Sequence, residues 1–99
     1  SFMRIIARKT LKDYAERVPG AKSSLEAWFA EAKAADWKTP HDVKAKYGSA
    51  SILKDGRVVF NIGGNNYRLV VWINYEFSVV YIRFIGTHAE YDEIDVETI

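Results

Sequence analysis

Ninety-nine residues and 11.3 kDa leave room for one domain with one core, since a chain of this size buries roughly two thirds of its unfolded surface. A 48% hydrophobic and 14% aromatic content with only two prolines excludes disorder, and the absence of cysteine excludes disulfides, thiolate metal sites and cysteine nucleophiles. The net charge of +1 hides a split: residues 1–57 hold twelve Lys/Arg against seven Asp/Glu, and residues 58–99 hold two against six.

The only histidines, His41 and His88, are too few for the usual all-histidine centre, so neither a metal nor a cofactor is expected. No apolar run approaches the roughly 20 residues that span a bilayer, and the start lacks the basic-then-apolar pattern of a signal peptide. A soluble, cytoplasmic protein with no membrane partner is expected. Ser1 and Phe2 precede the sole methionine, Met3, and are set apart as additions, so the domain is taken as residues 3–99. The basic half reads either as solvated helix faces or as a surface for an anionic partner.

In chain order, Arg4-Ile5-Ile6-Ala7-Arg8 suits a short first strand. Thr10 is then placed to cap a helix with Leu11, Tyr14, Ala15 and Val18 at helical spacing, ended by Pro19-Gly20. Ser23 and Glu26 form a capping-box pattern ahead of a second helix whose Leu25, Trp28, Phe29 and Ala32 share one face. Thr39-Pro40 starts a further helical turn with Val43 and Tyr47 inward and Lys44 and Lys46 outward, and Gly48 breaks it; His41 reads as part of that polar start.

From Ser51 the period changes to two. Turns at Asp55-Gly56, Gly63-Gly64-Asn65-Asn66 and Asn74-Tyr75-Glu76-Phe77 delimit a meander. Two-residue and four-residue loops would set Lys54 opposite Arg57, Ile62 opposite Tyr67, Asn61 opposite Arg68, and Arg68 opposite Arg83. One face then carries Val58, Phe60, Ile62, Tyr67, Leu69, Val71, Ile73, Val80, Ile82 and Phe84, almost wholly apolar and suited to packing on the helices. Arg57, Val59, Asn61, Arg68, Val70, Trp72, Val79, Tyr81, Arg83 and Ile85 fall on the other face.

Two arginines facing each other across strands repel unless an anion lies between them. A phosphate suits the guanidinium fork, and Asn61 would add a neutral donor; the alternative is that Arg68 and Arg83 pair with Glu90 or Asp92. Thr87-His88-Ala89-Glu90 is a capping box directly after the last strand, so His88, Tyr91 and Asp92 should begin a short helix beside Arg83. His88 is then either a hydrogen-bonded structural residue or a group that moves a proton near neutral pH.

The stretch Phe60–Val70, with its Gly63-Gly64-Asn65-Asn66-Tyr67-Arg68 block, followed by Tyr81-Ile82-Arg83 and by Thr87-His88-Ala89-Glu90-Tyr91-Asp92, resembles the HigB branch of the RelE-like toxins in order and spacing. The resemblance spans nearly the whole chain. It implies an α+β RelE-like single domain: an N-terminal strand and two helices packed on one face of a mainly antiparallel twisted sheet, with a short C-terminal helical segment. It further implies an mRNA endonuclease (mRNA interferase) of a type II toxin–antitoxin pair, a hydrolase-class ribonuclease that inhibits translation by cutting messages on the ribosome without a metal.

In such enzymes the RNA's own 2′-hydroxyl attacks the adjacent phosphate. Carried over by position, Arg68 and Arg83 would bind the scissile phosphate and stabilise its transition state, His88 would be acid or base, and Tyr91 would stack on or orient the substrate. Asn61 and Asp92 would support them, and Lys44, Lys46, Lys54 and Arg57 would contact RNA or ribosome. A cognate antitoxin, often a helix-turn-helix DNA-binding protein, is the expected partner. Two other classes compete: a RelE-like module that binds an antitoxin or the ribosome without cutting, and a structural domain of an unrelated complex. The acidic run from Glu90 to Glu97 sits oddly beside a polyanion site.

Overall fold

A period of two in the second half sends alternate side chains to opposite faces, and one of those faces is apolar enough to need a cover. The computed structural model describes residues 2–99 and carries five strands: β1 (Arg4–Ile6), β2 (Ser51–Ile52), β3 (Arg57–Ile62), β4 (Tyr67–Asn74) and β5 (Val79–Thr87). Their spatial order is β1-β5-β4-β3-β2. Strands β2 to β5 are an antiparallel meander, and β1 joins the far edge parallel to β5, with Ile5 opposite Val80. Four helices accompany them, α1 (Arg8–Arg17), α2 (Lys22–Ala34), α3 (Pro40–Lys46) and α4 (His88–Asp92), giving the α+β class expected.

The core lies between α1, α2 and the apolar face. Leu11, Tyr14, Leu25 and Trp28 meet Val58, Phe60, Leu69, Val71 and Val80 there. Phe60 is its centre, with ring centroids 5.3 Å from Trp28, 5.0 Å from Tyr47 and 6.1 Å from Trp37. Tyr47, half-buried, donates its hydroxyl to Glu31. Burial first, then that carboxylate, holds the phenol ionisation well above the ordinary tyrosine value.

Two helix starts differ from expectation. α1 begins at Arg8 behind Ala7 with no side-chain cap, which puts Thr10 inside its first turn. α2 begins at Lys22, because the short helical turn Pro19–Ala21 delivers the chain already coiled; Ala21 is helical, with φ −93° and ψ −10°, so Ser23 and Glu26 fall within the helix. At α3 the expected start forms: Thr39 Oγ1 accepts the Asp42 N–H at 3.3 Å, and Asp42 Oδ2 accepts the Thr39 N–H at 3.2 Å.

The register departs from expectation in two hairpins. At the first turn Leu53, not Lys54, lies opposite Arg57 and donates its N–H to the Arg57 carbonyl at 2.9 Å. Asp55 and Gly56 both adopt left-handed conformations, φ 61° and 80°, and the loop takes three residues with Lys54 in it. A side chain at Gly56 would put its Cβ 2.8 Å from the Ile73 carbonyl.

The β3–β4 pairing is as expected, Asn61 opposite Arg68 and Ile62 opposite Tyr67. Between β4 and β5 the loop is Tyr75–Ser78: Asn74 stays in the strand while its Oδ1 accepts the Phe77 N–H at 3.0 Å, and Ser78 closes the turn at φ 58°. A bulge then leaves Arg83 unpaired, since Val71 faces Ile82 and Val70 faces Phe84. Arg68 therefore faces Gly86, not Arg83. Phe84 and Ile85 also exchange faces, so that Ile85, opposite Leu69, packs on the core and Phe84 does not.

Deleting the ring at the centre of the aromatic cluster leaves a cavity beside Trp28, Trp37 and Tyr47. Phe60→Ala is expected to lower the unfolding free energy by about 3–5 kcal/mol, measured by urea denaturation.

Candidate active site

The turn Gly63–Asn66 links the arginine and histidine that the residue pattern singles out. Gly63 and Gly64 both take left-handed conformations, φ 61° and 69°, which lets the chain reverse between β3 and β4. Arg68 Nη1 donates to two of the local carbonyls, Asn65 at 3.1 Å and Tyr67 at 3.2 Å. The backbone N–H of His88 donates to a third, Asn66, at 3.2 Å. One turn thus holds both a guanidinium and the start of α4.

Across from Arg68, Gly86 offers no side chain. A Cβ there would lie 2.6 Å from Phe84 Cζ and 3.0 Å from Glu90 Oε1, so the ring and the carboxylate occupy that space. Glu90 closes the expected capping box: the Thr87 N–H donates to its Oε1 at 2.8 Å, and Thr87 Oγ1 accepts the Glu90 N–H at 3.2 Å. One turn further, Asp92 Oδ2 stands 3.0 Å from His88 Nδ1. With Nδ1 on the carboxylate, Nε2 is the nitrogen left to face a substrate.

Glu90 is therefore committed to Thr87 and Asp92 to His88. Among the described residues neither Arg68 nor Arg83 has a carboxylate partner within ion-pair distance. Arg83 is exposed at the bulge, three residues along β5 from the position facing Arg68, a rise of about 10 Å. Asn61, opposite Arg68, donates a long Nδ2 hydrogen bond of 3.5 Å to the Ser49 carbonyl. Tyr91 is half-buried on α4.

The remaining predicted contacts are dispersed. Lys44 Nζ donates to the Ala50 carbonyl at 2.6 Å, Lys46 is exposed at the end of α3, and Lys54 sits in the first hairpin loop. Arg57 lies at the opposite end of β3 and donates through Nε and Nη2 to the Ile99 carbonyl at 3.1 and 3.0 Å. Ile99, at the end of the acidic segment, thus lies at the start of β3. Val59 and Val70, on the face away from the helices, are 4% and 0% exposed.

Residue patterns did not single out Gly86 and Phe84, which fill the space beside Arg68. The signal was present: Gly86 is the one glycine inside β5. No helix among the described residues is long and apolar enough to cross a membrane.

The Thr87 backbone N–H, then its hydroxyl, holds the Glu90 carboxyl below the ordinary value of 4.5. A lowered folded pKa means that this cap's contribution is complete above about pH 4.5 and is lost as pH falls through the lower, folded value. The Thr87 amide, followed by NMR from neutral to acid pH, is expected to keep its bonded shift down to that range and to lose it below. Glu90→Gln is expected to remove the titration.

Comparison with known proteins gives a consistent picture. Residues 21–94 match the family described as HigB_toxin, RelE-like toxic component of a toxin–antitoxin system. The chain is 39% identical over 92 residues to the mRNA interferase toxin HigB of Escherichia coli (strain K12), spanning 91% of this chain and 88% of that one. The mRNA interferase HigB of Shigella flexneri matches to the same extent. That of Escherichia coli O6:H1 is 27% identical over 94 residues, 93% and 91% of the two chains.

Proposed function

The chain belongs to the HigB family of RelE-like toxins, and we propose that it is an mRNA interferase that cuts messages on the translating ribosome, with the cluster at the Gly63–Asn66 turn as its cleavage site. The observation that carries the assignment of residues is the convergence of the Arg68 guanidinium and the His88 amide on carbonyls of that one turn. As a toxin of a toxin–antitoxin system it has an antitoxin partner. A helix-turn-helix DNA-binding antitoxin is the form we expect.

The reaction we infer is attack by the RNA 2′-hydroxyl on the adjacent phosphorus. The bond to the 5′-oxygen breaks, leaving a cyclic phosphate, or a 3′-phosphate after hydrolysis, and a 5′-hydroxyl end. One proton leaves the 2′-oxygen and one is delivered to the departing 5′-oxygen. His88 Nε2 serves one of these transfers, and Asp92 on Nδ1 orients the ring.

Arg68 and Arg83 neutralise charge building on the phosphate oxygens. The bulge separates their backbones by about 10 Å, so two long side chains close on the phosphate from either side and the repulsion of a direct pair is avoided. Asn61 adds a neutral donor, and Tyr91 orients a base. Lys44, Lys46, Lys54 and Arg57 supply salt-sensitive contacts to RNA or ribosome.

Inducible expression of wild type beside Arg68→Ala/Arg83→Ala, with growth followed and RNA 5′ ends mapped, tests this directly. Wild type alone should arrest growth and create new 5′-hydroxyl ends within translated messages. Unchanged growth and transcripts with both proteins folded would instead mark a binding module that does not cut. His88→Ala should slow cleavage by about 10²- to 10⁴-fold and flatten one limb of its pH profile.

A further inference from the structure

The sheet face turned away from the helices carries a second feature, four residues along β4 from Arg68. Trp72 stands opposite Arg57 on β3 and opposite Tyr81 on β5, so the three form one cross-strand row. The indole and phenol rings stack, with centroids 5.1 Å apart and planes at 27°. The chain's other two tryptophans are 2% and 3% exposed, whereas Trp72 is 37% exposed. On the β1 side, Ile6 lies opposite Tyr81 and the exposed Arg4 lies opposite Val79, two residues away. A flat aromatic pair is thereby bordered by a guanidinium on either hand.

A shallow depression of about 520 Å³ opens beside the indole, lined by Ile52, Arg57, Trp72 and Tyr75 together with Asp55 and Pro40. An exposed aromatic surface with cations at its margin is how proteins hold unpaired bases: the ring stacks on a base of any identity and the cation takes the backbone phosphate. The two guanidinium groups that flank the rings are positive, as an anionic strand requires, with the Asp55 carboxylate at the hairpin end of the depression. The row also lies on the face that carries Asn61 and Arg68, about 13 Å along the strand from the latter.

We propose that Trp72 and Tyr81, with Arg57 beside them, form a base-stacking subsite for single-stranded RNA, a second point of contact on the strand whose phosphate is bound at Arg68. This rests on the nuclease reading above and extends it. Val70, between the two points, is covered, so the RNA touches the sheet at Arg68 and again at Trp72 rather than lying flat on it. Arg57 donates through Nε and Nη2 to an Ile99 oxygen, so a backbone phosphate gains this guanidinium by taking the place of Ile99.

The test is binding of a 2′-O-methylated single-stranded oligonucleotide, which lacks the attacking hydroxyl and is read without cleavage. Because Trp28 and Trp37 are buried, quenching of tryptophan emission by acrylamide reports Trp72, and the oligonucleotide is expected to protect it. Labelled-oligonucleotide anisotropy should show Trp72→Ala weakening binding by about five- to hundredfold, with Trp72→Phe retaining most of it and confirming that the fold survives. Absence of protection up to millimolar oligonucleotide, or equal affinity of the Trp72→Ala protein, would overturn the proposal. So would protection by purified antitoxin in place of RNA, which would make the row a protein-binding surface. Growth arrest by wild type without Trp72 protection removes the subsite and leaves the nuclease; protection without growth arrest does the reverse.

Discussion

The left-handed reversal at Gly63 and Gly64 is the constraint on which the site depends. A side chain at either position would strain the turn, and at Gly63 it would also press on the Tyr67 ring, 3.2 Å from the place a Cβ would take. With glycine there, the carbonyls of Asn65, Asn66 and Tyr67 become acceptors for groups arriving from two directions. Arg68 folds back from the following strand, and His88 arrives from the end of β5, one position beyond the Tyr67–Thr87 pair. The placing of Arg68 and His88 at this turn is thus set by backbone, which holds position better than a long side chain can.

Around that turn the sheet divides the work between its faces. The helices bury the apolar face about Phe60, and on the other face Arg68 and Arg83 stay clear of Glu90 and Asp92, which are engaged locally. The capping box satisfies Glu90, and the imidazole satisfies Asp92. Glu90 contributes to a helix cap and Asp92 lies against the His88 ring, so neither carboxylate is paired with Arg68 or Arg83.

Much of this was legible in the residues. Alternation separated the two faces, glycines and asparagines marked the hairpin at Gly63–Asn66 with its pairing of Asn61 and Arg68, and Thr87 with Glu90 announced α4. The bulge was not legible, because Phe84 and Ile85 are both apolar and either can be assigned to the core without penalty; only an extra residue in the ladder separates the choices. The start of α2 was hidden for a related reason: a helical turn at Pro19–Ala21 makes a side-chain cap at Ser23 unnecessary, although its pattern is present. Trp72 was assigned to the correct face, but its stacking on Tyr81 depends on a cross-strand neighbour that shifts with the loop at Tyr75–Ser78.

The central claim is that the RNA supplies its own nucleophile at the phosphate held by Arg68 and Arg83, with His88 moving a proton. Replacing the single ribose on the 5′ side of a mapped cut by its 2′-deoxy form, in an otherwise unchanged message, tests it most directly. Cleavage at that position should cease while neighbouring cuts continue. Cleavage that persists at the deoxy position would mean that water or a side chain attacks instead, and the account of the site would be wrong.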